Sequence, residues 1–155
     1  PMIYSGDELG LLNNYEYKNN TAKKHDSRWI HRQNFDWAKL SNIEKCETYE
    51  RIIFNNLKTL INVRKKINLD HNITHERAIQ VDNKHILVIQ QLNENEDNLL
   101  LIFNFSEDRQ FLNTSQLRRQ GINVHMVELL QGKELNLKDD IIQIGPYEFL
   151  ILKNK

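Results

Sequence analysis

The stretch NLLLIFNFSE, residues 98–107, decides the fold of the second half of the chain. Between residues 98 and 105 it is dominated by Leu, Ile and Phe, and a turn-forming run, residues 93–98, precedes it. Apolar and aromatic residues bounded by turn residues are typical of a β-strand. We therefore predict a strand over residues 98–105, with Leu100, Ile102 and either Phe103 or Phe105 pointing into a core.

Similar segments lie on both sides of this strand, from His75 to the end of the chain. Many short strands joined by turns, without helices between them, favour an antiparallel sandwich or barrel. We expect a sandwich of seven or eight strands between about residues 77 and 155. The other predicted strands are 78–82, 85–92, 122–130, 141–144 and 148–153. The other side chains that we expect to point inward are Ile86, Val88, Val127, Phe149 and Ile151.

A helix is predicted before the strands. Ser41 and Glu44 have the spacing of a capping box, in which a hydroxyl caps the helix and a glutamate follows three residues later. Apolar residues then recur every three or four positions, which indicates an amphipathic helix ending near Ile67 after a basic run. The apolar positions are Cys46, Tyr49, Ile53, Leu57, Leu60 and Ile61. Cys46 lies in this stripe, so we expect it to be a buried small apolar residue and not a nucleophile.

The first forty residues have a different character. Residues 2–5 form a short apolar run, predicted to be a strand, which leads into a glycine turn with the adjacent acids Asp7 and Glu8. Residues 10–40 lack clear periodicity, and a loop of this length is usually functional or disordered. Their five aromatic residues argue against disorder. The composition changes near residues 68–76, where we place a domain boundary.

Composition excludes several classes of function. The 21 basic and 21 acidic residues balance, so we expect no nucleic-acid partner. No apolar run approaches the length of a membrane span, and we expect no membrane partner. A single cysteine fits a reducing compartment, so we expect a cytoplasmic location. No phosphate-binding glycine loop is present, and His71 and His75 lack a third ligand nearby. We therefore expect neither a cofactor nor a metal.

Four motifs resemble the end of α-amylase-family enzymes (glycoside hydrolase family 13). PMIYSGDELG, residues 1–10, is similar to that family's motif on barrel strand eight, and HDSRWIHR, residues 25–32, to the following loop in amylosucrases. NLLLIFNFSE and IGPYEFLIL, residues 144–152, resemble strands of the family's C-terminal β domain. The resemblance implies an α+β fragment, in which the last strand, loop and helix of a (β/α)8 barrel precede an all-β antiparallel sandwich. Residues 1–70 would end the catalytic barrel, and residues 71–155 would form the amylase C-terminal domain.

The resemblance also implies an activity. Family members are retaining glucosidases or transglucosidases that act on α-glucosides such as sucrose, through two opposed carboxylates. In the family these two carboxylates and a third acidic residue, which holds sugar hydroxyls, follow barrel strands four, five and seven, all of which would precede Pro1. The chain would therefore hold no catalytic residue, would be inactive alone, and would have as partners the N-terminal barrel of the same chain and an α-glucoside. Gln33 stands where amylosucrases usually have proline, so a sucrose-using transglucosidase and a plain α-glucosidase both remain open.

Three charged residues are candidates for the rim of the sugar site. Asp7 and Glu8 are neighbours and cannot flank a scissile bond from opposite sides. The resemblance places them on the rim or behind it, and the alternative is a turn with solvated acids. Arg28 would, by the same resemblance, close the sugar pocket by pairing with an acid from an earlier loop. An arginine fork suits such directed pairing, and the alternative is a surface pair with Asp26.

Two aromatic residues of the long loop, Tyr15 and Trp29, are candidates for sugar contacts. Aromatic side chains in such a loop more often hold it against a barrel. An isolated strand over residues 2–5 would expose its edges, so self-association of the chain is also expected. A second class of function remains, namely a stand-alone β-sandwich that binds carbohydrate or protein and performs no catalysis.

Overall fold

The computed structural model describes residues 2–32, 34–35, 37–43, 48–67, 73–93, 98–138 and 141–155. The chain forms two compact units, Pro1–Asn62 and Val63–Lys155. The division falls within the second α-helix, a few residues before the boundary predicted from composition.

Among the described residues, the first unit contains short helical turns followed by the larger part of a long α-helix. Three 3-10 helices span Asp7–Leu9, Glu16–Asn19 and Ser27–His31, and the helix α1 spans Trp37–Asn42. The prediction of a strand over residues 2–5 is wrong for this structure. Residues 2–4 have no regular structure, and the Tyr4 carbonyl accepts a turn hydrogen bond from the Asp7 amide at 3.0 Å. A strand needs a neighbour for its backbone groups, and no described strand pairs with this segment.

The long helix α2 spans Tyr49–Ile67, so its predicted end is confirmed. Its predicted cap is wrong, because Ser41 lies inside α1 and donates its hydroxyl to the Ala38 carbonyl at 2.8 Å. Thr48 occupies the capping position instead, and its Oγ1 accepts a long hydrogen bond, 3.5 Å, from the Arg51 amide. Glu44 and Cys46 lie outside the described residues.

The apolar stripe predicted on α2 exists, but much of it faces solvent within this chain. Tyr49, Ile53 and Ile61 are exposed, and Leu57 and Leu60 are half-buried. Val63 is the buried residue of the helix among those described. The helix is therefore amphipathic, but the described part of the chain does not cover its apolar stripe along the whole length.

In the described part of the second unit there are eight strands, all paired antiparallel, which confirms the predicted antiparallel β domain. They are β1 Ile73–Ile79, β2 Ile86–Asn93, β3 Asn98–Asn104, β4 Gln110–Asn113, β5 His125–Glu128, β6 Lys133–Asn136, β7 Ile141–Ile144 and β8 Phe149–Asn154. One sheet has six strands in the order β1-β2-β3-β8-β5-β6, and the pair β4-β7 forms a second sheet. Strand β3 lies near the centre of the larger sheet, between β2 and β8.

The two sheets share one hydrophobic core. Val88, Leu100 and Leu152 of the larger sheet are fully buried together with Leu112 of β4 and Ile144 of β7. Leu117 of a short helix α3, Thr114–Arg119, completes the cluster. Strands β4 and β6 and helix α3 were not predicted. Each has only four to six residues, too few to establish a period.

Some predicted core positions lie on the other face of the larger sheet. Ile86, Val88, Leu100 and Ile102 are buried as predicted. Val127, Phe149, Ile151 and Phe103 are half-buried, Phe105 is exposed, and Met126, Leu150 and Leu152 take the inward positions. In these strands the side chains on both faces are apolar, so alternation alone does not identify the inner face. Phe149 of β8 lies opposite Phe103 of β3 in the sheet, and their two rings stack with centroids 6.1 Å apart.

Candidate functional site

A cavity of about 380 Å³ lies in the first unit, between the opening segment and the 3-10 helix Ser27–His31. It brings together two of the predicted site residues, Asp7 and Arg28. Two charged or titratable residues that sequence reasoning missed, His31 and Arg32, also line it. In a 3-10 helix residues three apart lie on one side, which explains why Arg28 and His31 share this wall. The three-residue spacing of Arg28 and His31 within HDSRWIHR is the sequence signal that could have predicted this.

The two adjacent acids take different positions. Asp7 is exposed and accepts a hydrogen bond from the Tyr4 amide at 3.3 Å. Glu8 is half-buried, lies outside the lining of the cavity, and accepts from the Gly6 amide at 2.8 Å. Gly6 has φ 104°, and a Cβ there would meet Leu11 at 2.8 Å, so this turn requires glycine. Both acids thus order the glycine turn, and Asp7 alone of the two reaches the cavity.

Arg28 is held by Asp26, the residue that caps its helix. Asp26 Oδ1 accepts from the Arg28 amide at 3.0 Å and from Nε at 2.8 Å, and Oδ2 accepts from Nη2 at 2.9 Å. This is the fork geometry in which arginine and carboxylate pair most strongly. The pairing predicted as the alternative for Arg28 is therefore present in this chain.

The same pair shifts two pKa values. Hydrogen bonds from the Arg28 side chain, and then from its amide, lower the pKa of the Asp26 carboxyl. The Asp26 carboxylate raises the pKa of the Arg28 guanidinium further above its usual value. The Arg28 side chain is 71% exposed, so both groups remain charged and accessible at neutral pH. Asp26 does not use the Nη1 donors of Arg28, and within the described residues these donors are available to a ligand or a second acid.

The two predicted aromatic contacts lie outside this cavity. Trp29 is half-buried, and Lys23 Nζ lies 4.1 Å from its ring centroid, with the Arg32 guanidinium at 5.8 Å. Trp29 lines a second cavity, of about 280 Å³. Tyr15 is exposed, with Lys18 Nζ 5.5 Å from its ring. Cations cover part of both rings, which leaves less of either face for a sugar.

Neither a metal centre nor a membrane span is evident in the part of the chain that the structure describes. No group of three or more His, Cys, Asp or Glu residues there could hold a metal ion. Of the pair predicted to be solvated, His71 lies outside the described residues and His75 is exposed. Among the described helices none is long and apolar enough to cross a membrane.

An antiparallel β domain occurs in many protein families, so the fold alone does not identify this one, and a comparison with known families does. Residues 76–153 match the family described as amylosucrase, C-terminal domain. This range holds half of the chain, and the chain belongs to that family. The predicted relationship to amylosucrases of the α-amylase family is confirmed.

Solved structures agree with this assignment at the level of fold. AmyP in complex with maltose matches with a TM-score of 0.54 and 18% identity, over 67% of this chain and 20% of its own. A variant of AmyP with maltotriose matches with a TM-score of 0.56 and 17% identity, over 70% and 22%. Amy13B of Eubacterium rectale matches with a TM-score of 0.52 and 20% identity, over 81% and 24%. The chain thus spans about a fifth to a quarter of the length of these proteins.

Proposed function

We propose that this chain is the C-terminal part of a retaining α-amylase-family enzyme that acts on α-glucosides such as sucrose. The observation that carries the proposal is the family match over residues 76–153. The solved structures that share the fold are more than three times as long as this chain, which leaves room for a catalytic barrel in such a protein. The catalytic carboxylates belong to that barrel, and the isolated chain does not turn over a glucoside.

Residues 1–70 close the barrel in this proposal, as its eighth strand, loop and helix, and residues 71–155 form the β domain. Residues 2–5 then become a strand only when neighbouring barrel strands supply hydrogen-bond partners. The exposed stripe of α2, which includes Ile53 and Ile61, has the amphipathic pattern of a helix that packs against a sheet. The match to Amy13B covers more residues than the second unit contains, which supports a shared fold that extends into the first unit.

Asp7 and Arg28 contribute to the rim of the sugar pocket. Both line the cavity of about 380 Å³, and the Nη1 edge of Arg28 is available for an acid of the barrel or for a sugar hydroxyl. Asp26 holds the opposite edge of the guanidinium, so pairing with Asp26 and a role at the rim are compatible. Lysine cannot reproduce this arrangement, because its ammonium is a point charge and not a planar fork.

The test is a sugar-release assay with sucrose, maltose and starch as substrates. The samples are the 155-residue chain, the protein encoded by the whole reading frame that contains it, and the Arg28→Ala and Arg28→Lys variants of that protein. We expect activity in the long protein, none in the isolated chain, and a fall in kcat/KM of about 10–100-fold in both variants. Turnover by the isolated chain, or a reading frame that starts at Met2, would overturn the proposal. Wild-type kinetics in both variants would remove only the role of Arg28.

A further inference from the structure

Asp26 binds the side chain of Arg28 but does not itself line the cavity of about 380 Å³. Its effect on a ligand in that cavity would therefore pass through the arginine. The carboxylate would determine how the guanidinium is presented to the ligand, without contacting the ligand. Such a role requires that Asp26 does more than cap the 3-10 helix Ser27–His31.

Capping a turn in this part of the chain does not require a carboxylate. Two other turns of the first unit are closed by an asparagine with the same two-residue spacing. Asn14 Oδ1 accepts from the Glu16 amide at 2.8 Å, and Asn20 Oδ1 accepts from the Ala22 amide at 3.0 Å. Asparagine and aspartate are about equally effective as caps. Capping therefore leaves one feature of Asp26 unexplained, namely the second carboxylate oxygen that accepts from an arginine side chain.

The pairing restricts a side chain that would otherwise be mobile. The Arg28 side chain is 71% exposed, and ordering an arginine in one rotamer has a large entropic cost. Asp26 Oδ1 accepts from the Arg28 amide and from Nε, and Oδ2 accepts from Nη2. Because these bonds reach both the backbone and the far end of one side chain, they restrict the torsion angles between the two. The guanidinium is thus oriented before a ligand binds, and preorganisation of this kind reduces the cost of binding.

Asp26 can hold the arginine because its own backbone is fixed on both sides. Its amide donates to the Lys23 carbonyl at 2.9 Å, and its carbonyl accepts from the Trp29 amide at 3.2 Å. The Lys23 amide in turn donates to the Asn20 carbonyl at 3.0 Å. Hydrogen bonds of three-residue spacing thus run without a break from Asn20 to Trp29, which is half-buried. The carboxylate therefore projects from an ordered segment.

The pairing leaves part of the guanidinium available to the cavity. A guanidinium has five N–H donors, and Asp26 uses Nε and one donor of Nη2. An arginine held along one edge can still make a directed contact with its other donors, since its fork is planar and rigid. Asp26 therefore fixes the direction of these donors without blocking them.

We propose that Asp26 is a positioning residue of the sugar site, whose carboxylate holds Arg28 in the orientation in which it acts at the rim. This inference rests on the proposed function of Arg28. Without the carboxylate the arginine remains, but its guanidinium samples other rotamers and must be ordered when the substrate binds. Ordering one such side chain corresponds to a fall in kcat/KM of about 2–10-fold, which is smaller than the loss expected for Arg28→Ala.

The kinetic test uses the protein encoded by the whole reading frame and a sugar that it turns over. Asp26→Asn is the matched variant, because asparagine keeps an oxygen for the cap but replaces the second oxygen by an NH2 group, which cannot accept from Nη2. We expect kcat/KM to fall about 2–10-fold in Asp26→Asn. In the Arg28→Ala background the same change should have no further effect, because the group that it positions is absent.

The double-mutant comparison separates positioning from a merely structural role. A structural defect in the loop would lower kcat/KM by the same factor in both backgrounds, and that result would overturn the inference. Unchanged kcat/KM in Asp26→Asn would overturn it as well. Asn113→Ala is the control variant, because Asn113 is exposed and caps α3 of the second unit with the same spacing, accepting from the Ser115 amide at 2.9 Å. We expect its kcat/KM to match that of the wild type.

A second measurement needs no turnover, so it distinguishes this inference from the proposed function. In the 155-residue chain we expect the Nε proton of Arg28 to exchange with water more slowly than that of Arg119, measured by NMR. Arg119 is exposed, and its guanidinium has no hydrogen bond within the described residues. Asp26→Ala should remove this protection. Equal exchange at the two arginines of the wild type would overturn the inference whatever the activity, whereas a protected Arg28 in a long protein that releases no sugar would overturn the proposed function.

Discussion

Asp26 and Arg28 form a bidentate pair within one turn of 3-10 helix. Oδ1 and Oδ2 of Asp26 accept from Nε and Nη2 of Arg28 at 2.8 and 2.9 Å, and Oδ1 also caps the helix through the Arg28 amide. One carboxylate therefore fixes both the backbone and the side chain of Arg28, which lines the cavity of about 380 Å³. The pair is exposed, so its effect is expected on orientation and titration more than on stability.

The first prediction concerns the titration of this carboxyl. Arg28 lowers the pKa of Asp26, so the native state binds the proton less readily than the unfolded state does. The small stabilisation that results is fully present at pH values above the ordinary pKa range of a carboxyl group. It is lost as the pH falls through the lowered pKa of Asp26. We expect Arg28→Ala to raise the pKa of Asp26 towards its usual value, measured by carboxyl-detected NMR.

The matched control for this titration is the pair of Glu134 and Lys155 on the second unit. Lys155 Nζ lies 2.7 Å from Glu134 Oε1, and its hydrogen bond lowers the pKa of that carboxyl. Lys155→Ala should raise the pKa of Glu134 and leave that of Asp26 unchanged. If Arg28→Ala left the pKa of Asp26 where it is, the bidentate pair would not persist in solution.

Much of the β domain could be predicted because its strands carry their own signals. Turn residues border the apolar run around Leu100 and Ile102, and the strand lies within one residue of its predicted bounds. The choice of face was less predictable, since Phe149 and Leu150 are both apolar and register decides which one points inward. The short helix that buries Leu117 has too few residues to show a helical period.

The candidate site was predictable in part. The predicted site residues were Asp7, Glu8, Arg28, Tyr15 and Trp29, and the structure places Asp7 and Arg28 at one cavity and the other three outside it. Sequence reasoning did not foresee that Asp26 leaves the Nη1 edge of Arg28 available, because that depends on the local helical geometry. In the β domain, the burial of Glu128 at the end of β5 was also missed, because a glutamate in a strand is ordinarily assigned to the solvent face.

A second prediction concerns Asn104, which joins two loops of the β domain. Its side chain is 3% exposed, and Nδ2 donates to the Asp108 carbonyl at 2.8 Å and to the Gly145 carbonyl at 2.7 Å. Oδ1 accepts from the Ser106 amide at 2.9 Å. Asn104→Ala leaves these groups without their partner, so we expect the free energy of unfolding to fall by about 2–4 kcal/mol in urea denaturation.

Asn136→Ala is the control for the asparagine prediction. Asn136 is exposed and makes a single turn hydrogen bond to the Lys138 amide at 3.1 Å. Its replacement should cost less than about 1 kcal/mol, because water can take the place of the lost acceptor. Equal losses in the two variants would mean that the bonds of Asn104 do not join the loops in solution.

A third prediction concerns self-association of the isolated chain. Met2 and Leu12 of the first unit are 93% and 85% exposed, and Tyr49, Ile52 and Ile53 of α2 are also exposed. Apolar surface of this extent promotes association when nothing covers it. We expect the scattering mass to rise with protein concentration and Ile53→Lys to reduce that rise. A monomer at all concentrations would contradict the expectation. Ile89→Lys on the β domain is the control variant, in which the rise in scattering mass should remain.

The last prediction concerns Tyr147, in the turn between β7 and β8. Its φ is 52°, which is the sole positive value among the described non-glycine residues, and its ring is exposed. A side chain in the left-handed region costs about 1–2 kcal/mol, whereas glycine adopts it without that penalty. Glycine loses more chain entropy on folding, about 0.5–1 kcal/mol. We therefore expect Tyr147→Gly to raise the free energy of unfolding by about 0.5–1 kcal/mol.

Tyr147→Ala separates the backbone effect in this last prediction from the loss of the ring. Alanine keeps the strained φ and removes the hydrogen bond from Oη to Glu107 Oε1, which is long at 3.4 Å and exposed. We expect Tyr147→Ala to match the wild type within about 0.5 kcal/mol in the same urea denaturation. If Tyr147→Gly were less stable than Tyr147→Ala, the backbone would not be strained at this position. If both variants also had a lower free energy of unfolding than the wild type, the loss would be assigned to the missing ring.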